Sequence, residues 1–219
     1  MSLKKFSELF VDLDSSNSTN NKIEVLKNYF FSNDPIDNSW AIYLLTGKSN
    51  KRFISGRYLK NLFSQIYEYP EWLIDTCYLK VGDSAEVITL LLKNKSTSKK
   101  EKLSNISLNE LLSKTIPDLS KLNEEEKNLQ IKNIWERLPE DYHLIFNKIL
   151  TGTFRVGVSI GLITKSISKL TNIDEEIISH RLMGNFKPSI DSFEFLINKN
   201  INLEAVSYTH LTLPTRNCV

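Results

Sequence analysis

The run Lys148-Ile149-Leu150-Thr151-Gly152-Thr153-Phe154-Arg155-Val156-Gly157-Val158-Ser159 brings together a helix end, an isolated arginine, a glycine and a new helix start within a short stretch. Gly152 suits the left-handed conformation that terminates a helix. Gly157 with Ser159 suits the opening of the next one, where unpaired backbone N–H groups at a positive dipole end can meet a phosphate. Arg155 supplies the matching charge. A turn of this composition also serves as a plain connection between helices with one solvated arginine, and the run by itself fits both uses.

The run has an echo. Leu44-Leu45-Thr46-Gly47 recurs as Ile149-Leu150-Thr151-Gly152, and each copy is followed by basic residues, a small residue and an apolar helix. In the first copy Lys48, Lys51 and Arg52 occupy the turn, and Ser55-Gly56 then opens a helix carrying Arg57, Tyr58, Leu59, Leu62 and Phe63. Two such corners suggest a pseudo-twofold module that grips two stretches of one backbone, although ordinary helix capping also repeats tetrapeptides of this kind. Charge distribution sharpens the choice. Lys48 to Lys60 and Lys148 to Lys169 contain basic residues and no acidic one, whereas Asp118 to Asp141 is predominantly acidic. A polyanion would meet the first two stretches and be repelled by the third.

The elements that position these corners read as helices almost throughout, because apolar residues recur at three and four positions rather than at two. Phe6, Leu9, Phe10 and Leu13 mark a first helix, followed by a polar break from Ser15 to Asn21. Ile23, Leu26, Tyr29 and Phe30 mark a second, and Trp40, Tyr43 and Leu44 a third that ends at Gly47. Pro70 stands ahead of Glu71-Trp72-Leu73, where a helix start tolerates proline. Ser84 to Lys93 forms a helix with Val87, Ile88, Leu91 and Leu92 inward, and Ser107 with Glu110 has capping-box spacing. Further helices follow over 124–137, 142–150, 158–170 and 174–182. The fold class is therefore all-α. It divides into a first helical lobe at 1–93, a linker at 94–102 and a second lobe at 103–205, each lobe presenting one Thr-Gly corner. Residues 206–219 match the translation of a transposase-derived sequencing adapter. They are expected to be foreign to the gene, which would then be interrupted near residue 205, leaving Cys218 without meaning.

Composition excludes several classes. With 41% apolar and 25% charged residues the chain has material for a packed core. No apolar run reaches the length of a spanning helix, and the N-terminus leads into Glu8, Asp12 and Asp14, so a cytoplasmic protein is expected. Cys77 and Cys218 suggest neither a disulfide framework nor a zinc site, and Cys77 reads as a small core residue. Trp40, Trp72 and Trp135 lie at helical spacing on apolar faces and are expected in the core. His143 and His180 are isolated. The sequence has no P-loop, no Gly-x-Ser-x-Gly, no His-Glu-x-x-His and no convincing carboxylate pair, so nothing in it activates a nucleophile.

Four segments carry a resemblance to a known family: Ala41-Ile42-Tyr43-Leu44-Leu45-Thr46-Gly47, Val81-Gly82-Asp83-Ser84-Ala85-Glu86, Phe154-Arg155-Val156-Gly157-Val158-Ser159 and Ser179-His180-Arg181-Leu182-Met183-Gly184. In this order, over about residues 3 to 200, the chain resembles the N-terminal DNA-binding domain of bacterial ATP-dependent DNA ligases. Ile160 departs from the polar residue expected there. The resemblance implies a two-lobed, pseudo-twofold helical domain that binds nicked double-stranded DNA as a monomer through phosphate contacts in the minor groove, at the nucleoid and away from any membrane. The DNA-binding residues it implies are Thr46, Gly47, Lys48, Lys51, Arg52, Arg57, Thr151, Gly152, Arg155, Gly157, Ser159 and Arg181. For Arg181, helix-end capping and phosphate contact stand about even. Catalysis in such ligases begins at the lysine of a Lys-x-Asp-Gly motif, which this sequence lacks. The implied full-length enzyme uses ATP and Mg2+, while this chain would bind neither, would hold no metal and would be inactive alone. A helical-repeat scaffold for a protein partner is the rival reading.

Overall fold

The computed structural model describes residues 2–48, 52–93, 103, 106–154, 156–184 and 186–199, and every regular element among them is helical. The first six are α1 (Ser2–Ser15), α2 (Thr19–Ser32), α3 (Pro35–Leu45), α4 (Gly56–Tyr67), α5 (Glu71–Val81) and α6 (Ser84–Lys93). After the segment at 94–102 come α7 (Leu108–Glu110), a π-helical turn (Leu111–Thr115) and α8 (Ile116–Lys121) in direct succession. The remainder are α9 (Glu124–Arg137), α10 (Glu140–Thr151), α11 (Ile160–Thr171), α12 (Glu175–Met183) and α13 (Ile190–Ile197).

Local chemistry accounts for the ends. The side chains of Ser18, Ser55, Ser107, Ser159 and Ser189 each accept a hydrogen bond from a first-turn amide of α2, α4, α7, α11 and α13. Asn123 and Glu126 form a reciprocal capping box on α9. Pro35 opens α3, and Gly82 and Gly152 close α5 and α10 in the left-handed region, at φ 81° and 66°. The start of α7 agrees with the Ser107–Glu110 spacing, whereas α8 and α13 lack a distinct sequence signal. Their apolar stretches are short, and the π turn interrupts the helical period between Leu111 and Ile116.

Helix α10 is the centre of the packing. Tyr142, His143 and every residue from Ile145 to Thr151 are buried along it. It lies against α6 and α1, while α2 packs on α1 and on α11, α4 on α6 and α5, and α13 on α3 and α12. Helices from either side of the 94–102 segment thus pair with one another, and the buried apolar residues form one cluster running from Leu3 to Leu196. Inside it, the Trp135 indole donates to Asn147 Oδ1 at 2.9 Å, and Asn147 Nδ2 donates to Thr89 Oγ1 at 3.1 Å, fixing α9, α10 and α6 relative to one another.

One side-chain expectation changes. Trp135 is buried and Trp40 half-buried, but Trp72 is 69% exposed, because α5 turns Ile74, Cys77 and Tyr78 rather than Trp72 to the core. Leu91 packs against the core half-buried, and Thr89 takes a further core position with its hydroxyl donating to Ala85 O. Cys77 is half-buried against the core. Among the described residues, no helix is long and apolar enough to cross a membrane.

Candidate nucleic-acid interface

The two Thr-Gly corners meet through the backbone. The amides of Phe53 and Ile54 both donate to Leu150 O at 3.1 Å, so the strap after the first corner is fastened to the last turn of α10, immediately before the second. This leaves Thr151 and Thr153 facing the start of α4. Thr151 is held by its hydroxyl donating to Asn147 O at 2.9 Å and lies 2.9 Å from the Thr153 hydroxyl.

A second approach completes the arrangement. The N-termini of α4 and α6 converge so closely that a Cβ on Gly56 would stand 2.5 Å from Ser84 Oγ and 3.1 Å from its Cβ. Any larger residue there would have to push the two helix starts apart by a few tenths of an ångström. The close approach leaves a cleft of about 420 Å³ lined by Arg52, Ser55, Gly56, Arg57 and Lys60 on one side, Tyr78, Gly82, Asp83 and Ser84 on another, and Thr151 and Thr153 at the α10 end. The concavity gathers two helix N-termini, the hydroxyls of Ser55, Tyr78, Ser84, Thr151 and Thr153, three cations and the Asp83 carboxylate, and its excess of positive charge suits an anion.

The cations differ in availability. Arg52 and Arg57 are exposed, and neither is engaged by another side chain among the described residues. Lys60 is paired with Asp75 and lies 4.5 Å from the Tyr78 ring centre. Lys148, counted by sequence among the basic residues of the second corner, is not at the surface. Its side chain is 5% exposed and bridges Asp83 at 3.0 Å and Glu86 at 2.7 Å.

The remaining sequence-predicted residues lie elsewhere. Thr46 caps α3 with its hydroxyl donating to Ile42 O, and Gly47 is exposed at φ 69°. Lys48 turns to the end of α12, donating to Leu182 O at 2.7 Å and Gly184 O at 3.0 Å, with the Phe186 ring centre 5.7 Å away. Burial there holds the Lys48 ammonium below its ordinary pKa. Gly152 is the left-handed cap of α10. Gly157 is exposed at φ 61°, and Ser159 caps α11 by accepting from Leu162 N. Lys51 and Arg155 lie outside the described residues.

Arg181 does not join the cleft. It is 7% exposed, and one terminal nitrogen donates to the carbonyls of Phe195, Leu196 and Asn198, each at 3.0 Å. Of the two uses left open by sequence, its geometry is helix-end capping, applied to the end of α13 rather than to its own helix. Lys22 was overlooked. Reaching across from α2, it donates to Val156 O at 2.7 Å and fixes the start of the Val156–Gly157 turn. Nothing in its sequence neighbourhood signals this, because the contact joins positions distant in the chain. Asp83 was visible only as part of a Gly-Asp pair, and its place at the mouth of the cleft follows from the α4–α6 approach.

The class of protein is thereby bounded: an all-α domain in which the strap after the first corner, the end of α10 and the starts of α4 and α6 line a cation-bearing cleft, with no cluster of metal-ligating side chains among the described residues. Residues 2–168 match the family model described as DNA ligase N terminus, and the chain belongs to that family. No curated protein matches it.

Proposed function

We propose that this chain is the DNA-gripping N-terminal part of a bacterial ATP-dependent DNA ligase, holding the phosphate backbone around a nick in duplex DNA as a monomer. The single observation that carries this reading is the fastening of Phe53 and Ile54 to Leu150 O, which sets Arg52, Arg57, Thr151 and Thr153 around one cleft. Phosphate contacts from such a cleft would position the duplex with little base readout. The adenylating lysine, ATP and Mg2+ belong to a different part of the enzyme, since no Lys-x-Asp-Gly occurs in this chain. Here the chain binds and positions, and nick sealing in repair, replication or recombination needs the adenylating part.

The test is a salt titration of binding to nicked and intact duplexes. Affinity should fall steeply with salt, and Arg52→Ala and Arg57→Ala should each flatten the slope by about one unit for every sequence tried. Duplex binding indifferent to salt would overturn the reading and favour a protein-binding scaffold.

A further inference from the structure

We propose that Lys148 is a positioning residue for DNA: its buried ammonium neutralises Asp83, which lines the phosphate cleft, and the neighbouring Glu86, and so keeps the cleft attractive to a polyanion. The inference rests on the DNA-binding reading above and deepens it.

Lys148 leaves the last turn of α10 and is almost wholly enclosed, with its ammonium 5.7 Å from the Phe10 ring centre. Its Nζ donates to Asp83 Oδ2 at 3.0 Å and to Glu86 Oε1 at 2.7 Å. Asp83 has two tasks. Its Oδ1 accepts from the amides of Ala85 at 2.8 Å and Glu86 at 3.1 Å, capping α6, while the residue itself lines the cleft beside Arg57 and Ser84. A carboxylate in that position opposes any phosphate that enters. With Lys148 in place the three groups carry one net negative charge, and without it they carry two. The enclosed lysine is screened less than a surface cation where it meets Asp83, but the charge that its removal leaves on the part-exposed Asp83 acts across the open cleft, where salt does screen it. The arrangement separates two needs that conflict at a helix start: Asp83 satisfies the first amides of α6, and Lys148 cancels the field that the cap would otherwise project into the cleft.

The test uses the full 219-residue chain with a nicked duplex at about 50 mM salt, where electrostatic differences are largest. Lys148→Met should weaken binding about five-fold, the order of effect of one uncompensated charge facing a phosphate across an open cleft, and the difference should narrow as salt rises. Lys148→Arg, which keeps the charge but not the shape, should bind within about two-fold of the parent. The triple variant Lys148→Met, Asp83→Asn, Glu86→Gln, which removes all three charges, should likewise return to within about two-fold. A purely structural role for Lys148 would leave the triple variant as weak as Lys148→Met. That result, or parent-like binding by folded Lys148→Met, overturns the proposal. Should Lys148→Met fail to fold, Lys148→Arg and the triple variant decide it, since binding more than about five-fold weaker in either is fatal to the charge argument. Failure of the parent chain to bind DNA in a salt-dependent way would instead defeat the underlying reading.

Discussion

Gly56 is the narrowest point of the site, and replacing it with alanine tests whether the approach of two helix starts is what shapes the cleft. The added Cβ would stand 2.5 Å from Ser84 Oγ and 3.1 Å from Ser84 Cβ. The hydroxyl can rotate away about χ1 at small cost, but the two β-carbons cannot, so α4 and α6 must separate by a few tenths of an ångström. Alanine in a helix recovers up to about 1 kcal/mol of propensity over glycine, less at a first position such as this one. Overpacking of this kind costs about 1–3 kcal/mol, so the net expectation is a loss of about 1 kcal/mol. In a chain of this size that lowers the melting midpoint by about 2–4 °C, measurable by circular dichroism. Ser84→Gly removes both opposing atoms, so the pair Gly56→Ala, Ser84→Gly should show a favourable coupling of about 1 kcal/mol in a double-mutant cycle. DNA affinity should follow the same pattern, lost in the single variant and recovered in the pair. A Gly56→Ala protein that melts and binds like the parent, or a cycle without coupling, would refute the claim that this contact sets the cleft.

Arg181→Met should cost about 3 kcal/mol in chemical denaturation, because three carbonyls at the end of α13 lose a charged donor, while the salt slope of DNA binding should not change. His143 is buried with its Nε2 donating to Trp135 O, and burial holds its pKa below the ordinary value. The unfolded chain therefore takes up the proton first, so stability is full above about pH 6.5 and erodes as pH falls from there toward the folded-state pKa. Denaturation midpoints across this window should slope less in His143→Leu than in the parent. Trp72→Gln should leave the melting midpoint within about 1 °C, as befits an exposed side chain.

The helices were legible because their signals are local. The span 124–137 agrees with α9 at both ends, since Asn123 and Glu126 announce the start and Leu138-Pro139 the stop. Gly152 and the Ser55-Gly56 start were equally legible, because backbone conformation and capping are written in single residues. Trp72 was misplaced because helical spacing shows which residues share a face but not whether another helix covers it. The meeting of the two corners was illegible for a different reason: it depends on two amides reaching Leu150 O across the chain, and backbone hydrogen bonds leave no residue-type signature.

The divergence of Lys48 and Arg181 from Arg52 and Arg57 has one physical source. Any cation near a helix terminus faces two competing acceptors, the unpaired carbonyls of a helix end and an external phosphate, and sequence alone weights both alike. Burial decides between them. Lys48 and Arg181 reach the carbonyls closing α12 and α13 within partly dehydrated surroundings, where withdrawing the cation would strand several acceptors at once. Arg52 and Arg57 sit at helix starts, where the nearby backbone groups are donors and offer a cation nothing. They are left to solvent, and a ligand that satisfies both an arginine and an exposed helix start must be an anion. The same dipole that recruits Lys48 and Arg181 into the fold therefore leaves Arg52 and Arg57 free of backbone acceptors, as the proposed grip on a phosphate backbone requires.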